Sequence, residues 1–247
     1  MGLDVLVISP CSGTKRFDAV IGPEEIDSRG RTELLREYPD AVTSAAEMYT
    51  GREHENIKSA VKQLSEVADI DWRIISAGFG VLSAGTEIPS YECTFSEIEQ
   101  VRQRAERMNL DVDTMTNNEL VAAVGREKNI PQDLRQIFAE GYDLVFVALG
   151  TKYLIAAQEA LTSLPEETNA LAFASNGSKE YIGDCYWIPA TEEERGHFGT
   201  TWLELRGENY SRSRECQKPS TPRTITSESR RGTKIEYECW LNSQIHY

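Results

Sequence analysis

Three short stretches of this chain hold residues whose types and spacing could do chemistry. Residues 7–17 read VISPCSGTKRF, so an apolar run stops at Pro10 and delivers Cys11, Ser12, Gly13, Thr14 and Lys15 in succession. Backbone amides behind a strand, the hydroxyls of Ser12 and Thr14 and the ammonium of Lys15 could grip a phosphate or the polar edge of a base. The G-x-x-x-x-G-K-[ST] spacing of a phosphate-cradling P-loop is absent. Cys11 could be a nucleophile only with a base to lower its pKa, and no histidine stands beside it; the alternative is a small packed thiol. In the second stretch, residues 86–94 (TEIPSYECT), Pro89 pushes Ile88 into an extended backbone, so Tyr91 and Glu92 sit on a stiff loop. A ring beside a carboxylate suits a site where a flat group stacks while the carboxylate manages charge or a proton. The competing reading buries Tyr91 in the core and pairs Glu92 with a surface arginine. The third stretch, residues 46–52 (AEMYTGR), leads into a helix, with Thr50 as its N-cap and Arg52 as a phosphate contact, or simply as a helix start.

Loops of this kind need a frame. Residues 5–9 (VLVIS), 72–76 (WRIIS), 144–149 (LVFVAL) and 170–174 (ALAFA) are short, apolar and followed at once by small residues, as buried parallel strands are. Between them, residues 57–68 place Ile57, Val61, Leu64 and Ala68 on one helical face, and residues 154–164 repeat the pattern. Strands alternating with helices predict an α/β fold: an open, mainly parallel sheet with helices on both faces and a basic C-terminal extension. In such sheets ligands lie outside the carboxyl ends of the strands. Four loops rich in small and polar residues, 10–15, 77–82, 150–153 and 175–178, would converge there, which brings Ser76, Gly78 and Asn176 into the candidate binding set. Residues 1–190 are expected to form this domain, with a helical insertion at about 108–138 that packs through Leu120, Val121 and Val124. Residues 191–247 are expected to form a loop-rich basic extension packing on the body.

With 26 basic and 40 acidic residues in 247, the net charge of −14 discourages unspecific binding to nucleic acid. The charge is uneven: residues 206–234 hold eight Lys or Arg against three Glu. Arg206, Arg212, Arg214, Lys218, Arg223, Arg230 and Arg231 are therefore candidate contacts to a nucleic-acid backbone, although a solvated tail would read the same way. Acidic excess could also mark adaptation to high salt. The five cysteines are widely spaced and contain no C-x-x-C pair, so neither a disulfide framework nor a zinc site is indicated. The first ten residues are too short and too acidic for a signal peptide, and no apolar run approaches the ~18 residues of a membrane helix. These features predict a soluble, cytoplasmic protein with no membrane partner.

The order P-C-S-x-T-K, E-M-Y-T-G-R, I-I-S-A-G-F-G-V-L, I-P-S-Y-E and Y-D-L-V-F-V-A-L-G-x-x-Y resembles the YaaA-like domains and their relatives associated with tRNA-guanine transglycosylase and archaeosine synthesis. The resemblance covers about residues 5–155. Gly78 stands where relatives often carry Lys, and Glu92 where many carry Asp. What the resemblance implies is chemistry on nucleic acids or their bases, and among the relatives a phage-defence DNA glycosylase acting on glucosylated hydroxymethylcytosine fits best. Such an enzyme takes its base out of the stack, needs no metal or cofactor, and has DNA, phage DNA included, as its partner. Glu92, with Asp18 in reserve, would be the carboxylate that stabilises positive charge on the sugar or activates water. Ser12, Lys15 and Asn176 would be donors to the base or a phosphate, and Tyr49 or Tyr91 a stacking platform. Two other expectations compete: a deazaguanine-type base-modifying enzyme, in which Cys11 and Lys15 matter more than Glu92, and a non-catalytic DNA-binding stress protein.

Overall fold

The computed structural model describes residues 2–190. The first strand, β1 (Leu3–Pro10), runs through the middle of the molecule and is buried continuously from Val5 to Pro10, as a strand covered on both faces must be. The chain then passes through α1 (Pro23–Ser28), α2 (Arg31–Glu37), β2 (Val42–Ser44) and α3 (Ala45–Met48) before α4 (Arg52–Leu64). Helix α4 buries His54, Ile57, Ala60 and Leu64, one face at helical spacing, and contacts β1 and β3 (Ala68–Ser76). A tight turn returns the chain as β4 (Gly80–Ser83), and β5 (Glu87–Pro89) follows. Helices α5 (Ile98–Arg107), α6 (Asn117–Glu127) and α7 (Ile130–Phe138) precede β6 (Leu144–Val147), α8 (Thr151–Leu161), β7 (Ala170–Ala174) and β8 (Tyr186–Pro189).

Six strands form one sheet in the order β4-β3-β1-β6-β7-β8, parallel throughout except for the β3–β4 pair. The α/β architecture expected from the strand–helix alternation is therefore present. From β1 the chain moves to β3 on one side, and later to β6 on the other. Right-handed crossovers in opposite directions place α4 on one face and α5 to α8 on the opposite one; α6 and α7 both pack on α8. The order reverses between β1 and β6, so the ligand crevice of this topology belongs beyond Pro10 and Val147.

All four expected strands form, with differences at their ends. The helix expected at 57–68 starts five residues earlier and stops at Leu64; Ala68 opens β3 instead, because its amphipathic step coincides with the strand register Leu3↔Ala68. Gly51, not Thr50, is the N-cap of α4. The loop expected at 77–82 is mostly strand: Gly80 to Leu82 pair with Ser76, Ile75 and Ile74. Residues 176–181 wind into a 3-10 turn rather than an open loop. In the helical segment around 108–138, Leu120, Val121, Val124, Leu134 and Phe138 belong to the same core as the sheet. Arg206, Arg212, Arg214, Lys218, Arg223, Arg230 and Arg231, with the whole expected extension, lie outside the described residues.

Candidate functional site

The reversal point is lined by hydroxyls and a thiol. Ser76, the last residue of β3, accepts backbone N–H bonds from Gly78 (3.1 Å) and Phe79 (2.9 Å), which occupy both lone pairs of its Oγ. Its own proton must therefore go to Tyr91 Oη, 2.7 Å away, and Tyr91 Oη in turn lies 2.8 Å from Tyr49 Oη. This trio holds three protons and two O···O contacts with no lone pair left on Ser76. One phenolic proton is left over within it. Across the reversal, Cys11 Sγ and Tyr153 Oη are 3.0 Å apart, again two protons for one contact. Tyr153 stands in the first turn of α8, behind β6, and its ring packs edge-on against Phe95.

Burial, followed by repulsion from the Cys11 sulfur, pushes the hydroxyls of Tyr49, Tyr91 and Tyr153 well above the ordinary phenol range. Burial likewise pushes the neighbouring Cys93 thiol up to about 11. These groups stay protonated at neutral pH, so the cluster offers neutral donors to a ligand rich in acceptors. A cation caps it: Lys15 Nζ lies 4.6 Å from the centre of the Tyr91 ring.

The loop carrying Cys11 to Lys15 is pinned from the α4 side. Ser12 Oγ accepts the Gly51 amide (3.1 Å) and donates to Thr14 O (2.5 Å), Thr50 N reaches Thr14 O (3.0 Å), and Arg16 N reaches Met48 O (2.8 Å). A Cβ on Gly51 would stand 2.7 Å from Ser12 Oγ, which is why a glycine follows Tyr49-Thr50. A Cβ on Gly78 would meet the Tyr91 ring at 3.1 Å and Ile26 at 3.3 Å, a physical reason for glycine where the resemblance expects lysine.

The structure thus brings together Cys11, Lys15, Tyr49, Ser76, Gly78 and Tyr91, with Ser12 and Thr14 in the loop that covers them. Roles differ from those expected. Tyr49 and Tyr91 are fully buried and meet edge to face, so they present hydroxyls rather than a stacking platform. Ser12 has its proton engaged by its own loop and acts as a pin. Glu92 is exposed, pointing away from the buried Tyr91 and Cys93 on either side. Its segment is stitched to the one bearing the exposed Asp18 by Ser90 Oγ to Phe17 O (2.7 Å), Val20 N to Ser90 O (3.3 Å) and Glu92 N to Ile21 O (3.0 Å). Both candidate carboxylates are thus exposed, whereas the tyrosine hydroxyls are buried. Arg52 opens α4 on its exposed side. Asn176 is exposed, and its neighbour Ser178 makes the contacts, to Thr151 Oγ1 (2.6 Å) and Ser175 Oγ (2.8 Å).

Sequence reasoning placed Tyr153 in one of the converging loops and in the G-x-x-Y step but gave it no role of its own. It passed over Asp27, Arg104 and Lys128, which no local pattern connects. A shallow depression of about 390 Å³ lined by Asp4, Asp69, Asp71, Glu140 and Tyr142 opens at the other end of the molecule, where β1 and β3 begin. Its Asp71 is taken up by Arg73 and by Tyr142 Oη (2.7 Å), and it lies at the amino ends of the strands, away from the reversal point. Among the described residues no group of three or more His, Cys, Asp or Glu could hold a metal ion.

No family model, curated protein or solved structure matches the chain.

Proposed function

We propose that the chain is a DNA glycosylase that hydrolyses the N-glycosidic bond of a modified base, with glucosylated hydroxymethylcytosine as the first substrate to try. The observation that carries this reading is the set of buried phenols, Tyr49, Tyr91 and Tyr153, gathered beside Ser76 and Cys11 where the strand order reverses, with one phenolic proton of the Tyr49–Tyr91 pair left to donate. A base leaving a sugar gains electron density on its carbonyl oxygens and ring nitrogens. Donors that remain protonated because they are buried stabilise that density as it develops. The sugar of an extruded nucleotide stays at the mouth of the site, so the carboxylate that meets its positive charge belongs outside the buried phenols, and Glu92 and Asp18 are exposed carboxylates on two segments stitched together beside Tyr91. Water adds its oxygen to the anomeric carbon, the bond to nitrogen breaks, and the water's remaining proton passes through the carboxylate or solvent to the departing base. Tyr49 and Tyr91 are sealed in the form described, so entry of a base requires the Ser12–Lys15 loop to shift.

The test is incubation of the purified protein with unmodified DNA and with DNA containing glucosylated hydroxymethylcytosine, followed by mass spectrometry of released bases and a count of abasic sites. Release of the modified base alone is expected, and Glu92→Gln should slow it by about 10²–10⁴-fold while DNA binding and melting temperature stay put. Intact DNA in both tubes, or a base of altered mass still on its sugar, overturns the reading; the latter result would point to base modification.

A further inference from the structure

Beneath the turn that holds Tyr91 lies a second polar cluster. Asp27, on α1, receives Arg104 of α5 through two bonds (Nη2–Oδ1 2.7 Å, Nε–Oδ2 2.9 Å). Lys128 Nζ lies 2.7 Å from the same carboxylate and Arg107 Nη2 3.5 Å from it. The remaining arm of Arg104 donates to Ala77 O at 2.8 Å, next to Ser76. Burial by itself would raise the Asp27 carboxyl, but Arg104 and then Lys128 outweigh it and hold it below the usual range. Arg104 is wholly buried and Asp27 nearly so, whereas the side chains of Lys128 and Arg107 are 14% and 35% exposed.

Three cations share one carboxylate, and among the described residues Asp27 is the carboxylate that each of them contacts. The carboxyl ends of α5 and α6 are close by and offset roughly half a charge each. Three positive charges against one carboxylate and two helix ends leave an excess of about one. An unmatched charge in a half-buried setting is costly. Arg107 and Lys128 are the partly exposed members of the cluster, and Arg104 ties the group to Ala77, the residue after Ser76.

We propose that Arg107 and Lys128 form a phosphate subsite that holds one phosphodiester of the strand whose base enters the donor cluster. This rests on the nucleotide reading above. A singly charged phosphodiester matches the excess, and the bidentate reach of Arg107 suits its two free oxygens.

The experiment measures binding of a fluorescent, unmodified DNA duplex to the full chain across a KCl series. Each phosphate contact contributes about 0.9 to the slope of log K against log salt, so Arg107→Gln should flatten the slope by about that amount. Arg107 is the outermost member, so this variant should keep its melting temperature within a few degrees. A second measurement compares wild-type melting in potassium phosphate and KCl at equal ionic strength: phosphate should raise it, and Arg107→Gln should abolish the rise. If a 5′-mononucleotide raises melting as much as the duplex does, the phosphate comes from a free nucleotide; if only the duplex does, it comes from a strand. An unchanged slope together with no phosphate effect overturns the subsite and leaves the cluster as a brace for α1 and α5. Because the duplex carries no cleavable base, this outcome is independent of base release. The subsite can fail while glycosylase activity stands, and the reverse.

Discussion

At the scale of single residues, the molecule's choices are about where protons go. Ser76 illustrates this: two backbone amides occupy its lone pairs, so it can only donate, and that direction propagates to Tyr91 and Tyr49. His54 shows the opposite case. Its Nε2 faces the Ala46 carbonyl at 3.1 Å, which only accepts, so Nε2 carries the hydrogen and Nδ1 is left as a buried lone pair without a partner. The ring stacks on Trp72 at 5.1 Å and meets Tyr49 edge-on. Burial lowers its pKa from the usual 6.5; the Ala46 carbonyl and the charges of Glu55 and Glu47 oppose this, and Lys58 adds to it. The folded state therefore keeps His54 neutral while the unfolded chain takes up a proton. Stability is full above about pH 6.5 and falls as pH drops below it, by at most about 1.4 kcal/mol per pH unit. Urea unfolding at pH 7.5, 6.5 and 5.5 should show this loss, and His54→Leu should be flatter across the same window. Equal slopes in both proteins would remove His54 as the cause.

At the scale of elements, close approach decides what each helix and turn can do. Helix α6 lies against α8 through Gly125: a Cβ there would stand 3.0 Å from both the Cβ and the carbonyl oxygen of Ala156. Neither atom can swing aside as a long side chain would. The gain in helix propensity from Gly125→Ala, about 1 kcal/mol, is outweighed by overpacking of about 1–3 kcal/mol. The variant should melt a few degrees lower, and a rise would show that α6 has room to move out. The same logic runs through the β3–β4 turn, which Arg104 grips at Ala77 and which positions Ser76 under Tyr91. Motif order along the sequence suggested that these segments meet. The hairpin itself was not legible, because A-G-F-G-V-L reads equally as a glycine-rich loop until Gly80 to Leu82 find partners in β3.

At the scale of the whole molecule, charge is the governing quantity. A net charge of −14 makes the compact state repel itself. Raising KCl from about 10 to 150 mM shortens the screening length from about 30 to 8 Å, so the melting temperature should rise over that range. A flat response would mean that local pairs such as Lys58–Glu47 and Arg126–Glu159 already balance the surface. If the proposed function holds, the same charge opposes approach to DNA, and binding would then depend on local excesses of cation such as the one proposed around Asp27. Among the described residues no helix is long and apolar enough to cross a membrane.

The sequence by itself determined the strands, their alternation with helices and the α/β class, since these follow from runs and periods of apolar residues that burial enforces locally. It also singled out Cys11, Lys15 and Ser76 through the loops that such a sheet presents at one edge, and Tyr49 and Tyr91 through their own motifs. Tertiary structure alone decided that Tyr91 offers a hydroxyl and not a ring face, that Glu92 is exposed, and that Asp27 gathers Arg104, Arg107 and Lys128. Those outcomes depend on which lone pairs and charges become neighbours across 15 to 101 residues of chain. Contacts at such separations leave no trace in local pattern.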